Sequence, residues 1–178
     1  MIKMASKTFK TLKPAKKKVI LTALYHEFSQ YPLSEAQVAR IVAEAKISRG
    51  SFYVYFTDLT DAYYSLFNYV IHDIHQGVKD KAGSPVEQTI RYIRRLHDNP
   101  YTPLLQMHYR VNESILAEYD ACPAENLLPP DPKEDVIHDW LIEHLTHEAL
   151  INSFRYPKQV ENIIDTLIAS SNYLNHQL

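Results

Sequence analysis

Residues 34–56 constrain the fold more than any other part of the chain, because two short helical patterns meet there at a tight turn. The segment has the sequence SEAQVARIVAEAKISRGSFYVYF. Apolar side chains recur at helical spacing in its first half, at Val38, Ile41, Val42 and Ala45. Ser34 followed by Gln37 predicts a capping box, in which side chains satisfy the free N–H groups that begin a helix.

A second helix is predicted to follow Lys46 and Ile47, with Ser48 as its N-cap. Phe52 and Phe56 stand four residues apart and share one face, so the polar side chains project elsewhere. Helix-turn-helix proteins have this arrangement, and they place the outer face of the second helix in the major groove of DNA. The segment therefore predicts a DNA-binding protein.

This region resembles the N-terminal domain of the TetR family of bacterial transcriptional regulators, without a gap from about residue 18 to residue 70. In chain order, the family's three helices are similar to ILTALYHEF (20–28), AQVARIVAEA (36–45) and ISRGSFYVYF (47–56). The most specific part is the run Ser-Arg-Gly-Ser-Phe-Tyr at 48–53. The family often has glycine where Lys46 stands, so this lysine must adopt a left-handed backbone or reshape the turn.

The resemblance implies a DNA-binding surface on and around the second helix of the motif. Arg49 and Ser51 are expected over base edges, and Tyr53 and Tyr55 on phosphates. An arginine can pair bidentately with guanine, and Gly50 lets the backbone approach the groove. Tyr55 has an alternative, because an aromatic side chain two residues from Tyr53 could pack inward. The candidates are Lys16, Lys17, Lys18, Ser34, Gln37, Arg49, Gly50, Ser51, Tyr53 and Tyr55.

Charge is distributed unevenly along the chain. Residues 1–56 contain ten Lys and Arg against three Glu, whereas the remainder contains nine basic and eighteen acidic residues. A basic N-terminal third on an acidic body is typical of a DNA-binding protein whose C-terminal part has another task. The acidic C-terminal part would be repelled by DNA phosphates, which leaves the basic N-terminal end to dock on DNA.

Length and composition indicate the fold class and the compartment. A chain of 178 residues with three glycines and long 3.6-residue periods is expected to be all-α. We expect a helix-turn-helix domain followed by a divergent helical domain for ligand binding and dimerisation. No apolar run is long enough for a membrane span, and no apolar core follows the N-terminal lysines as in a secretory signal. The single cysteine, Cys122, excludes an intramolecular disulfide and favours a reducing cytoplasm.

Four segments are expected along the chain. They are a basic flexible arm (1–14), the helix-turn-helix domain (15–58), a connecting helix (59–82) and a helical effector-binding and dimerisation domain (83–178). The arm has four lysines and no periodicity, and it could solubilise the chain or reach phosphates and the minor groove. The Gly83-Ser84-Pro85 break marks the last boundary. In the last segment, helices are predicted over 86–97, 102–119, 133–154 and 158–174.

The C-terminal part contains two further candidate surfaces. An aromatic and methionine set could line a ligand cavity, although such side chains more often form plain core: Tyr92, Tyr101, Met107, Tyr109 and Trp140. The last two helices are expected to pair with those of a second subunit as a four-helix bundle. The predicted dimer interface comprises Trp140, Leu141, Leu145, Val160, Ile163, Ile164, Leu167, Ile168 and Leu174.

Neither a cofactor nor a metal is expected. His144 and His147 are spaced like zinc ligands, as are His72 and His75, but packing at a helix interface explains such pairs as well. We expect no enzymatic activity: the absence of the phosphate-binding motifs GxGxxG and GxxxxGK[ST] argues against a nucleotide-dependent enzyme, and the absence of the motif HExxH argues against a metalloenzyme.

The function implied by the resemblance is that of a homodimeric, sequence-specific transcriptional regulator. It is expected to be a repressor that leaves a palindromic operator in double-stranded DNA when an unknown small-molecule effector binds. The alternative is a helical interaction protein that keeps the TetR-like fold but acts mainly through a protein partner. Salt-dependent DNA affinity separates the two, because phosphate contacts weaken steeply as salt is added.

Overall fold

A computed structural model describes residues 5–76, 82–117 and 128–176. Regular secondary structure within these ranges is helical throughout, which confirms the all-α prediction. None of the helices described there has the length and apolar character needed to cross a membrane. The chain divides into an N-terminal unit, Met1–Lys79 with Pro103–Asp120, and a C-terminal unit, Asp80–Thr102 with Ala121–Leu178.

Ten α-helices are present in the described residues, together with one π-helical and one 3-10 segment. In chain order they are α1 (Lys7–Lys10), α2 (Pro14–Gln30), α3 (Val38–Ala45), α4 (Arg49–Tyr55), α5 (Leu59–Gln76), α6 (Pro85–His97), α7 (Thr102–Met107), the π-helix (His108–Asn112), α8 (Glu113–Ala117), α9 (Glu134–Arg155), the 3-10 segment (Pro157–Gln159) and α10 (Val160–Asn175). Cys122 lies outside the described residues.

The core of the N-terminal unit is formed by apolar side chains that each helix presents at helical spacing. Its fully buried members include Ile20, Leu24 and Phe28 of α2, Ile41 of α3, Phe52 of α4, and Tyr63, Leu66 and Val70 of α5. The rings of Phe28 and Tyr63 meet edge to face, with centroids 5.1 Å apart. This packing fixes α3 and α4 against α2 and α5, so the helix-turn-helix has one defined geometry.

The turn between α3 and α4 has a left-handed residue, the first of the two alternatives expected for Lys46. Its φ and ψ are 51° and 46°, and the Ile47 N–H donates to the Val42 carbonyl at 3.1 Å. Ser48 then caps α4 as predicted, because its hydroxyl accepts from the Ser51 N–H at 3.0 Å. A left-handed lysine costs about 1–2 kcal/mol relative to a right-handed one.

The capping box predicted at Ser34 and Gln37 is wrong. Gln37 itself is the N-cap of α3 and makes no side-chain capping bond. Its N–H donates instead to the Glu27 carboxylate at 2.6 Å. An acidic side chain from α2 thus supplies the acceptor that the local sequence was expected to provide.

The described part of the predicted flexible arm is folded. Ser6 caps α1 by accepting from the Phe9 N–H at 3.2 Å, and its own N–H donates to the Tyr55 carbonyl at 3.0 Å. Phe9 is only 3% exposed, and its ring centroid is 4.7 Å from that of Phe56. One aromatic side chain among lysines is sufficient to anchor this segment to the unit, because its burial removes a large apolar area from water.

The domain boundary expected at residue 83 does not separate the sequence into two consecutive parts. Residues 103–117 return to the N-terminal unit, where the Leu33 N–H donates to the buried Asn112 Oδ1 at 2.8 Å. The imidazole of His108 lies against Phe67, with centroids 4.0 Å apart, and its Nδ1 is 2.9 Å from the Tyr63 hydroxyl. These partners are far apart in sequence, so helical periodicity alone does not reveal them.

The C-terminal unit is built mainly from α6, α9 and α10. Ser84 and Glu87 form a capping box, with Pro85 as the first residue of α6. The three helices share a core of Val86, Ile93, Ile142, Ala149, Ile164 and Leu167. The apolar stripe of α10 therefore packs first against helices of its own chain.

Candidate nucleic-acid interface

Helix α4 has one buried and one exposed face, and the exposed face contains the predicted DNA-binding side chains. Phe52 is fully buried, whereas Arg49 and Gly50 are exposed and Tyr53 is 48% exposed. The helix is short, but its cap at Ser48 and its buried aromatic residue hold it in place. Its outer face is thus available for contact with a large partner.

Tyr55 packs inward, the alternative left open by its spacing. It is 5% exposed, and its ring centroid is 6.0 Å from that of Phe9. The ammonium of Lys16 lies 5.8 Å from the same ring. Tyr55 therefore joins α1, α2 and α4 from behind the exposed face, which is incompatible with its expected role in holding a phosphate from the front.

Arg49 and Tyr53 are neighbours on the exposed face, four residues apart along α4. The Arg49 guanidinium donates to the Tyr53 hydroxyl at 3.3 Å and lies 5.7 Å from the ring centroid. Both side chains stay solvent-exposed, so the pair is weak and can reorganise. Their donors are suited to base edges and to phosphate oxygens.

Ser51 and Gly50 occupy the first turn of α4. The Ser51 hydroxyl is half-buried and lies 2.9 Å from that of Ser48, so it is already part of the cap. A Cβ added at Gly50 would meet only the Ser48 hydroxyl, at an ordinary 3.8 Å. The fold therefore has room for a side chain at residue 50, and its absence leaves the outer face flat.

The remaining candidates surround α4 in the same unit. Ser34 and Gln37 are exposed before α3, and Lys16 and Lys18 are exposed on α2. Lys17 is half-buried, with its ammonium 5.5 Å from the ring centroid of Phe9. Of the ten predicted residues, Tyr55 is the one that is buried.

Glu27 and Arg40 hold α3 against α2, and the sequence analysis did not single them out. The Glu27 side chain is 3% exposed and accepts from Arg40 Nε at 2.8 Å and Nη2 at 2.6 Å. The guanidinium also stacks 3.9 Å above the Tyr31 ring. The hydrogen bond to Glu27 raises the pKa of Arg40 further above its usual value. A glutamate beside Phe28 in the apolar stripe of α2 was the available signal, since a buried carboxylate needs a partner.

Residues 20–58 match the family model of the bacterial regulatory proteins of the tetR family. The N-terminal domain of this chain is similar to that of the TetR family over these residues. The match covers α3 and α4 completely and includes most of α2. It confirms the resemblance inferred from the recognition-helix sequence.

Two crystal structures of TetR regulators share the helical fold of this chain. One is a TetR family transcriptional regulator from Chloroflexus aurantiacus J-10-FL, with 16% identity, 98% coverage of each chain and a TM-score of 0.52. The other, from Rhodococcus sp. RHA1, has 18% identity, covers 92% of this chain and 98% of its own, and has a TM-score of 0.51. At this identity the likeness is one of fold. No curated protein matches the sequence.

The predicted ligand-pocket residues fall in two different units. Tyr92, Tyr101 and Trp140 belong to the C-terminal unit, and Met107 and Tyr109 to the N-terminal unit. The C-terminal unit has a surface groove of about 360 Å³ with a different lining: Thr89, Glu143, His144, Thr146, His147 and Leu150. The ligand pocket remains a prediction.

One histidine of this groove, His144, packs against a neighbouring ring. The His144 ring lies 3.8 Å from that of Trp140, and its Nδ1 is 2.9 Å from the Trp140 carbonyl oxygen. Across the described ranges, no group of three or more His, Cys, Asp and Glu side chains could hold a metal ion.

The predicted dimer residues divide by their exposure within one chain. Ile164 and Leu167 are buried in the core of the C-terminal unit, and four others pack partly against that core: Leu145, Val160, Ile163 and Leu174. Trp140 and Leu141 are half-buried, and Ile168 is 40% exposed. Ile168 is therefore the member of the set best placed to meet a second subunit.

Proposed function

We propose that this chain is a sequence-specific, DNA-binding transcriptional regulator that contacts bases through the exposed face of α4. The observation that supports this most directly is the solvent exposure of Arg49, Gly50 and Tyr53 on the recognition helix of a TetR-family domain. The side chains of Arg49 and Tyr53 offer donors to base edges and phosphates.

Gly50 gives independent support to an approach by a large partner at this face. The residue has no positive φ and no crowded neighbour, so neither backbone geometry nor packing requires a glycine there. A side chain at residue 50 would project from the outer face of the first turn of α4. Close approach of the helix backbone to another surface provides a reason for its absence.

We propose further that the regulator works as a homodimer on a palindromic operator. One α4 offers few base contacts, and two related by a twofold axis double them over paired half-sites. The surface around Ile168 of α10, with the half-buried Trp140 and Leu141 of α9, is the proposed contact between subunits.

The proposed mode of regulation is repression that an effector relieves. A small molecule bound in the C-terminal part would favour a conformation in which the two α4 helices no longer fit their half-sites. Such an effector shifts an existing equilibrium by its difference in affinity for the two states. This part of the proposal rests on the TetR resemblance.

The test is selection of bound fragments from a random DNA pool by the purified protein, at two salt concentrations. Recovery of a palindrome that binds more weakly at high salt is the expected result. Absence of any enriched site, with the helical circular dichroism signal intact, would refute sequence-specific binding and move the function to a protein partner.

Two substitutions then assign the surface. Arg49→Ala and Tyr53→Phe should each reduce operator affinity by about fivefold to a hundredfold, as expected for the loss of one specific contact. Arg95→Ala and Tyr156→Phe are matched controls, since both residues are exposed and lie in the C-terminal unit. Wild-type affinity in both α4 variants would show that another face binds the operator.

A further inference from the structure

The N-terminal segment forms a small structure attached to the back of α4. The Phe9 ring packs against Phe56 and Tyr55 and anchors the segment. A hydrogen bond from the Ser6 N–H to the Tyr55 carbonyl completes the contact. The Lys17 ammonium lies 5.5 Å from the centroid of the Phe9 ring. Helix α1 thus has a fixed position beside the recognition helix.

This segment has a strong positive charge and contains no acidic residue. Residues 5–26 contain six lysines and neither Asp nor Glu. The first acidic side chain, Glu27, is buried and is satisfied by Arg40. The positive potential therefore extends without interruption from α1 along the first turns of α2.

Three of these lysines point into solvent, which suits them to an external partner. Lys7, Lys10 and Lys13 are exposed, and none makes an ion pair within the residues that the structure describes. Phe9, between the first two, is the side chain that turns inward. Each ammonium is a compact, strongly hydrated point charge, which suits it to a phosphate oxygen.

We propose that Lys7, Lys10 and Lys13 form a second DNA contact that binds backbone phosphates next to the bases read by α4. This proposal rests on the proposed function, and it adds a site outside the recognition helix and outside the candidates Lys16–Lys18. The contact is independent of base sequence, since phosphates carry no base identity. It increases affinity and fixes the register of α4 on the duplex.

Burial at the anchor favours DNA over a lipid surface as the partner. Between residues 5 and 13 the apolar side chains are Ala5 and Phe9, which are buried, and Leu12, which is half-buried, so none of them is fully exposed to enter a bilayer. Because α1 is already docked, the lysines also bind without the entropic cost of ordering a flexible arm.

The experiment compares K7Q/K10Q with the matched control K133Q/K158Q, whose lysines are exposed in the C-terminal unit. Dissociation constants are measured over a range of salt for an operator duplex and a scrambled duplex. Loss of two phosphate contacts should reduce the slope of log K against log salt by about 1.8. Affinity should fall on the order of tenfold or more at about 0.1 M salt, by the same factor for both duplexes.

The possible outcomes distinguish failure of the second DNA contact from failure of the proposed function of α4. If wild-type protein binds neither duplex, the proposed function fails. If it binds and K7Q/K10Q retains the wild-type slope, the second contact is refuted while the function of α4 stands. If K7Q/K10Q instead weakens only binding to anionic phosphatidylserine vesicles, the lysines serve a membrane and the proposal is also refuted.

A third variant tests the docked position of α1. Phe9→Ala keeps every lysine but removes the anchor, so it should weaken binding to both duplexes when circular dichroism shows the fold retained. Wild-type binding by folded Phe9→Ala would refute the role of docking. K7Q/K10Q alters only exposed side chains and keeps the charge test independent of folding.

Discussion

Acid should destabilise the N-terminal unit through His108. This imidazole is half-buried between Phe67 and Tyr63, and burial lowers its pKa to about 4. The Tyr63 hydroxyl, whose pKa is raised by burial, stays protonated and hydrogen-bonds to His108 Nδ1. Tyr109 is the adjacent titratable side chain, and burial together with the charge of Glu113 raises its pKa as well. The site thus favours neutral His108.

The magnitude follows from the proton bound by the unfolded chain. There the imidazole has its ordinary pKa of 6.5, whereas the folded protein has a value of about 4. Between these values the unfolded chain binds more protons, so the free energy of unfolding falls as the pH is lowered. The loss at about pH 5, relative to about pH 7.5, is on the order of 2 kcal/mol from this one side chain.

The assay is urea unfolding at both pH values, followed by far-ultraviolet circular dichroism at a fixed protein concentration. His108→Phe retains an aromatic ring but cannot titrate, so it should lose about 2 kcal/mol less than wild type on acidification. His147→Gln, an exposed site in the other unit, is the control. Equal losses in wild type and His108→Phe, or a reduced loss in His147→Gln, would refute the role of His108.

Two further predictions concern a helix cap and the subunit contact. Ser48→Ala should cost about 1 kcal/mol of unfolding free energy because it removes the acceptor for Ser51 N–H, whereas Ser34→Ala should be near neutral; equal costs in urea unfolding would contradict the assignment of the cap. Ile168→Asp should yield monomers by light scattering, and Thr166→Asp, an exposed change on the same helix, should leave the dimer intact; a dimeric Ile168→Asp would place the interface elsewhere.

Helical periodicity was sufficient to locate most helices, since the apolar spacing within a helix is local information. The helix expected at 133–154 is observed at Glu134–Arg155, and the one at 86–97 begins at Pro85. The Ser48 cap of α4 was predicted from the residue types that N-caps prefer, and the structure confirms it. Spacing identifies the apolar face of a helix, but not the element that covers that face.

The structure differs from the sequence-based predictions where a side chain packs against an element that helical spacing does not identify. Leu167 belongs to a stripe expected to face a second subunit, yet α6 and α9 of its own chain bury it. Phe9 was hidden in a lysine-rich segment without periodicity, although one aromatic anchor is enough to dock a single turn. In the sequence, Glu27 is a single glutamate within a helical pattern. Its role in holding α3 against α2 depends on the ion pair with Arg40 of α3.

The hydrogen bond from Leu33 to Asn112 has a consequence for how the N-terminal unit is made. The turn before α3 obtains its acceptor from a residue 79 positions later, so the unit is discontinuous in the chain. During synthesis, α1 to α5 leave the ribosome before that acceptor exists. A fragment ending at Gln76 would expose the surface that covers His108 and leave the buried Leu33 N–H without its acceptor. A fragment that keeps the fold of the N-terminal unit must therefore include the segment through Ala117, so a shorter fragment is a poor substitute for the full chain in DNA-binding assays.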